Sequence, residues 1–271
     1  MRFATGHGTG NDFVVIPDLD GVIDLGADQV RALCDRRTGI GADGVLRIAR
    51  GERHEFFMDY RNADGSLAQM CGNGIRVMAR YLETEGLLRG TTVIETRGGD
   101  RRVTVESDGQ IRVEMGVAEP PLLRAAPLVS VAGRTFPAVA VSVPNPHAVV
   151  FVDDLDEAGD LREAPELAPA AMFPEGANVE FVVVEAPGHA RMRVFERGVG
   201  ETQSCGTGAC AAAWAARRAT DPPGPAEWIV DVPGGRLRVI EHDSGEIELI
   251  GPAVLTASGE LPAGAVSSGG A

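Results

Sequence analysis

The sequence predicts an α+β fold of two pseudo-symmetric domains, each a mainly antiparallel sheet around a central helix, with the active site in the interdomain cleft. Three observations lead there. First, the chain repeats itself: Cys71 and Cys205 lie 134 positions apart, each two residues after a glutamine and directly before a glycine. Second, other matches keep nearly the same offset and order. "NDFVVI" from Asn11 pairs with "NPHAVVF" from Asn145, and the Gly-Gly pairs at 98 and 234 sit in long matching segments. A fixed internal period means two copies of one structural unit. Third, each half reads as short Val-, Ile- and Phe-rich runs broken by Gly, Pro or Asp, with one helical stretch in the middle.

In order, "FVVI" and "HEFFMDY" are the opening strands of the first half. A helix over 75–85 follows the first cysteine turn, placing Ile75, Met78, Ala79 and Leu82 on one face. Three strand-like segments close the half, with "SDG" as a hairpin turn. Residues 117–134 form the crossover. The second half opens with "AVVFVDD" and "NVEFVVV", and the acidic, Pro-rich "DDLDEAGDLREAPELAPA" between them is expected to add a helix. "ACAAAWAARRA" from Ala209 is a strong helix former stopped by "DPPGP". Three strands with a "DSG" turn end this half. The domains are therefore set at 1–117 and 118–252, the first completed by the C-terminal segment 253–271. The last residues, "SSGGA", are expected to fray.

Composition narrows the function. The 271 residues are 44% hydrophobic, enough to bury a large core. A net charge of −14 with short, scattered basic clusters argues for solubility and against nucleic acid as partner. No run suggests a membrane span or a signal peptide, so the expected location is cytoplasmic. The sequence contains no lysine, and all 25 basic residues are arginine. A pyridoxal-phosphate Schiff base and a Walker-A loop both need lysine, so both are excluded. No Cys-x-x-Cys pair is present and the five histidines are scattered, so no metal is expected. The four cysteines are expected as free thiols.

A cysteine at a helix start meets unpaired N–H groups and the positive end of the helix dipole. Such settings can lower a thiol from about 8.5 to somewhere between 3.5 and 7.5. The same N–H groups can hold a carboxylate. One cysteine from each half, on opposite faces of a bound α-carbon, could remove a proton on one side and return one on the other. The stereocentre would invert with no cofactor. Cys71 and Cys205 are the candidate acid/base pair; Cys34 and Cys210 are read as packing residues.

At these residues the sequence resembles diaminopimelate epimerases across essentially its whole length. The matching segments are "GHGTGNDFVVI", "CDRRTGIGADGV", "YRNADGSLAQMCGNGIR", "NPHAVVFVDD", "GANVEFV" and "FERGVGETQSCGTGACA". The resemblance implies cofactor-independent interconversion of LL- and meso-2,6-diaminopimelate in lysine and peptidoglycan precursor biosynthesis, with Cys71 and Cys205 as the catalytic pair. It implies that Gly72, Asn73, Gly206 and Thr207 hold the reacting carboxylate. It assigns Asn11, Asn62, Asn145, Asn178, Glu196 and Arg197 to the substrate, with Arg197 on the distal carboxylate and Glu196 on an ammonium group. It further assigns His147 and Glu196 to tuning the cysteines. The implied partner is a small molecule, with no nucleic acid and no membrane; a homodimer is open to it. One departure stands out: many members carry Gln where this chain has Gly44, so no side-chain role passes to that position. Another cofactor-independent racemase or isomerase of the same fold, and a thiol redox switch or anion-binding module, are the competing readings.

Overall fold

The computed structural model describes residues 1–121, 126–219 and 223–262. It divides into two compact units, one of Met1–Val113 with the chain from Gly251 onward, the other of Glu114–Ile250. The tail expected to fray and the rest of 263–271 in the completing segment lie outside the described residues, as do 122–125 of the expected crossover and 221–222 of the helix stop. Among the described residues no helix is long and apolar enough to cross a membrane.

In the first unit β1 (Arg2–Gly8) runs antiparallel to β2 (Asn11–Pro17). A short helix α1 (Ala27–Cys34), which the sequence reading did not anticipate, leads to β3 (Gly44–Arg50). β3 lies parallel to β2, with Phe13 opposite Gly44, and antiparallel to β4 (Phe56–Asn62). Phe13, Val14, Val15 and Ile16 are all fully buried, as a strand covered on both faces requires. Helix α2 (Gly72–Thr84) follows, then β5 (Thr91–Glu95), β6 (Arg101–Val105) and β7 (Ile111–Val117). The expected face of α2 (Ile75, Met78, Ala79, Leu82) is fully buried, and so is Val77. The "SDG" turn closes the β6–β7 hairpin with Gly109 at φ 81°, a conformation that costs glycine nothing.

The second unit repeats the plan after an antiparallel pair, β8 (Leu128–Val131) and β9 (Arg134–Val143). β8 falls inside the stretch read as a crossover. β10 (Asn145–Phe151) pairs with β9 and runs directly parallel to β12 (Asn178–Ala186), with His147 opposite Asn178, while the intervening β11 (Glu166–Ala168) pairs with β8. That register repeats Phe13 opposite Gly44. β13 (His189–Glu196) and the short β14 (Gly200–Thr202) precede helix α3 (Gly206–Arg218). β15 (Glu227–Val232), β16 (Gly235–Glu241) and β17 (Glu246–Gly251) finish the repeat, with the "DSG" turn placing Gly245 at φ 87°. The final strand β18 (Val254–Glu260) belongs to the first unit, antiparallel to β1.

The acidic stretch corrects one expectation. It forms no α-helix but two single 3-10 turns, Leu155–Ala158 and Ala170–Met172, with β11 between them. Gly159 at φ 69° ends the first turn, and Pro165 and Pro169 deny the N–H groups a longer helix needs. Helix α3 is buried on nearly every side: Ala209, Cys210, Ala211, Ala212, Ala213, Ala215 and Ala216 are each at most 2% exposed. Small side chains let the sheet close around it.

Candidate active site

In the first unit Cys71 is the N-cap of α2, with extended backbone at φ −140° and ψ 119°. Its Sγ accepts the Gly74 N–H at 3.4 Å, the bond an N-cap oxygen normally takes. The thiol faces Asn11 Oδ1 at 3.7 Å. Asn73 Nδ2 donates to the same oxygen at 3.2 Å. The Asn11 amide has a defined orientation because its Nδ2 donates to Asp43 Oδ2 at 2.8 Å, and a carboxylate can only accept. Asp43 is in turn held by Arg36, which also grips Asp12. Arg76, fully buried, pins the first turn of α2 by donating to Gly72 O, Asn73 Oδ1 and Thr9 Oγ1.

Gly44 sits beside this group. A Cβ there would fall 2.6 Å from the Arg61 carbonyl oxygen and 2.7 Å from Tyr60 Cε2. Tyr60 and the β4 backbone thus fill the space a side chain would need. Asn62, opposite Gly44, spends its Nδ2 on Ser66 Oγ at 3.0 Å.

The second unit builds the same cap. Cys205 is the N-cap of α3 at φ −123° and ψ 117°, and its Sγ accepts the Gly208 N–H at 3.4 Å. Thr207 Oγ1 is 3.4 Å from the sulfur. Asn178 presents its Nδ2 at 3.7 Å, the reverse of Asn11, because its Oδ1 accepts the Arg197 N–H at 2.9 Å. One thiol therefore faces a fixed acceptor and the other a fixed donor.

Cys205 corrects a second expectation. Its thiol is pushed well above the ordinary range rather than below it. Burial is the largest cause, followed by the charges of Glu196 and Glu180, and the bonds from Thr207 and Gly208 do not offset them. A helix start favours a thiolate only where water or cations help. Glu196 is itself raised, mainly by burial, although Thr202 Oγ1 donates to it at 2.5 Å. Glu196 and Arg197 do not pair with each other. Glu196 ends β13 and Arg197 opens the turn after it; the Arg197 guanidinium, 40% exposed, donates to the Glu175 carbonyl at 3.1 Å.

His147 is fully buried, with Nδ1 2.7 Å from Glu180 Oε1 and Nε2 3.2 Å from Asn145 Oδ1. Glu180 was missed in the sequence, where it looks like the polar step of a strand. Two residues beyond Asn178 on β12, it shares that residue's face. Asp43 was missed as well; its partner Asn11 lies 32 positions away. The packing reading of the other two cysteines agrees with their burial: Cys210 is fully buried, and burial with Asp12 and Asp43 pushes Cys34 up to about 12. None of the four cysteines is in a disulfide.

The family described as Diaminopimelate epimerase matches residues 3–120 and 139–256. The chain is 52% identical to the diaminopimelate epimerase of Streptomyces coelicolor, covering 96% of this chain and 95% of that protein. It is 49% identical to the one from Thermobifida fusca, covering 96% and 98%. Among solved structures, a hydroxyproline epimerase from Agrobacterium vitis aligns with a TM-score of 0.68 at 15% identity, covering 98% of this chain and 94% of that one. A Bacillus anthracis phenazine biosynthesis protein aligns at 0.66 and 19%, covering 97% and 99%. These two share the fold.

Proposed function

The chain belongs to the diaminopimelate epimerase family, and from that premise we propose that Cys71 and Cys205 are its acid/base pair. The reaction is epimerisation of 2,6-diaminopimelate between the LL and meso forms, an isomerase step toward lysine. One sulfur, as thiolate, takes the α-proton; the other, as thiol, gives a proton to the opposite face. The carbon inverts, and the two sulfurs have exchanged protonation states. The reverse direction exchanges their roles. First-turn N–H groups of α2 (Gly72, Asn73) and α3 (Gly206, Thr207) receive the carboxylate beside the reacting carbon, where charge grows as the proton leaves. Asn11, Asn62, Asn145, Asn178, Glu196 and Arg197 bind the rest of the substrate, Arg197 taking the distal carboxylate.

The observation that carries this reading is the identical cap at both cysteines, each sulfur bound by the N–H three residues on at 3.4 Å. Burial and the nearby carboxylates, which raise Cys205, fit it to enter as the acid, with Cys71 as base in that direction. Because the mechanism needs two reduced thiols, the cytoplasm is the compartment that suits it.

The test is turnover of one diaminopimelate isomer in D2O with reduced protein and no additive. Deuterium should appear at the inverted α-carbon, and Cys71→Ser and Cys205→Ser should each abolish both inversion and label uptake while remaining folded. Near-normal turnover in either variant removes that cysteine from the mechanism, and exchange on hydroxyproline in place of diaminopimelate would reassign the substrate.

A further inference from the structure

Glu180 lies under the first turn of α3, fully buried in a strand of Val and Phe. His147 Nδ1 is its hydrogen-bond partner at 2.7 Å, while Oε2 is buried with no partner among the described residues. A buried carboxylate so thinly satisfied is costly unless its charge is balanced, and in a native protein it calls for a reason other than stability.

The fold does not require a charge at this place. In the first unit the equivalent positions are Leu46 and Phe13, whose side chains approach a Cβ built at Gly74 to 3.0 and 3.5 Å. At Gly208 the same construction meets Glu180 Oε1 at 2.7 Å. One helix start therefore rests on an apolar pair and the other on an acid and a base. Both ring nitrogens of His147 face oxygens. An imidazolium can donate to both, and the positive end of α3 above Glu180 favours the ionised carboxylate that balances it. The titratable groups that interact with this pair are Glu196 from β13 and Cys205 from α3; on β9 the residue opposite His147 is Val141.

We propose that Glu180 is a positioning residue that holds His147 as an imidazolium, and that His147 thereby fixes the Asn145 amide with its oxygen toward the ring and its NH2 as the donor offered to substrate. The inference rests on Asn145 being a substrate contact. No bond to carbon is made or broken by the pair; one proton stays between Glu180 and His147.

The experiment uses the full-length protein labelled with 15N-histidine, the His147 signal being identified by its loss in His147→Asn. At pH 8, well above the ordinary histidine value of about 6.5, wild-type His147 should carry protons on both ring nitrogens. In Glu180→Gln it should be neutral, and KM for diaminopimelate should rise roughly tenfold, as for one weakened hydrogen bond, with kcat changed less. A neutral wild-type His147 at pH 8 overturns the proposal, and this measurement decides it even should the variant not fold. An unchanged KM beside the predicted change in the His147 signal overturns the link to Asn145. The charge on His147 is read without turnover, so failure of the epimerase assay and failure of the ion pair are separate results.

Discussion

The two helix starts provide a matched experiment, because the same substitution meets different neighbours in each half. Alanine at Gly74 places its Cβ 3.0 Å from Leu46 Cδ2, 3.4 Å from Cys71 Cβ and 3.5 Å from Phe13 Cζ. A leucine methyl can give by the few tenths of an ångström required. Against that small cost stands a helix-propensity gain of up to about 1 kcal/mol for Gly→Ala, so Gly74→Ala should lie within about 1 kcal/mol of wild type. Alanine at Gly208 places its Cβ 2.7 Å from Glu180 Oε1, 3.2 Å from Cys205 Cβ and 3.3 Å from Glu180 Cγ. That oxygen cannot retreat freely, since it is held at 2.7 Å by His147 and both residues are fully buried. Overpacking of this kind costs about 1–3 kcal/mol, and weakening a hydrogen bond to a charged group adds about 1.5–3 kcal/mol. The propensity gain is common to both variants and cancels, so Gly208→Ala should be less stable than Gly74→Ala by roughly 2.5–6 kcal/mol. Urea unfolding midpoints of the two variants, with m values checked for constancy, measure the difference. Equal stabilities within about 0.5 kcal/mol would refute the reasoning, because they would mean that the Glu180–His147 pair yields as easily as a leucine methyl.

Three further outcomes follow from the same geometry. Asp43→Ala removes the acceptor that orients the Asn11 amide and should lower kcat/KM about tenfold, the size of one charge-assisted bond, with the fold retained by circular dichroism; unchanged kinetics would show that Asn11 needs no such anchor. Cys34 titrates at about 12 against an ordinary 9.0. A raised folded value means its stabilising contribution is complete below pH 9, declines as pH climbs, and is gone above 12. Wild type should thus lose about 1 kcal/mol between pH 9 and pH 10 that Cys34→Ala does not lose, as denaturant titrations at the two pH values would reveal. Gly44→Gln should destabilise by about 1–3 kcal/mol because the Arg61 carbonyl blocks its Cβ; a thermal midpoint equal to wild type would show that β4 shifts without cost.

Much of the fold was readable because its signals are local. The 134-residue repeat, the Gly-centred hairpins and the buried face of α2 each depend on neighbours in sequence. Helix α1 escaped because it is only eight residues long and is not repeated in the second half. The acidic stretch misled because its charges suit a helix surface while its prolines and Gly159 do not permit one. At the site, the two capping cysteines were legible for the same local reason: the glycine-rich turn and the helix that follows are contiguous.

By itself, then, the sequence determined that two similar units exist, that each carries a cysteine at a helix start, and which protein family the chain resembles. Tertiary structure alone decided how the two thiols differ. Parallel pairing of β10 with β12 sets Glu180 beside His147 and under Cys205, 33 and 25 positions away in the chain. The matching register in the first unit sets Leu46 beside Phe13. Register between distant strands follows from how whole faces pack, so no short stretch of residues encodes it. Burial, with the carboxylates beside it, then holds the Cys205 proton in place where an exposed helix start would release it.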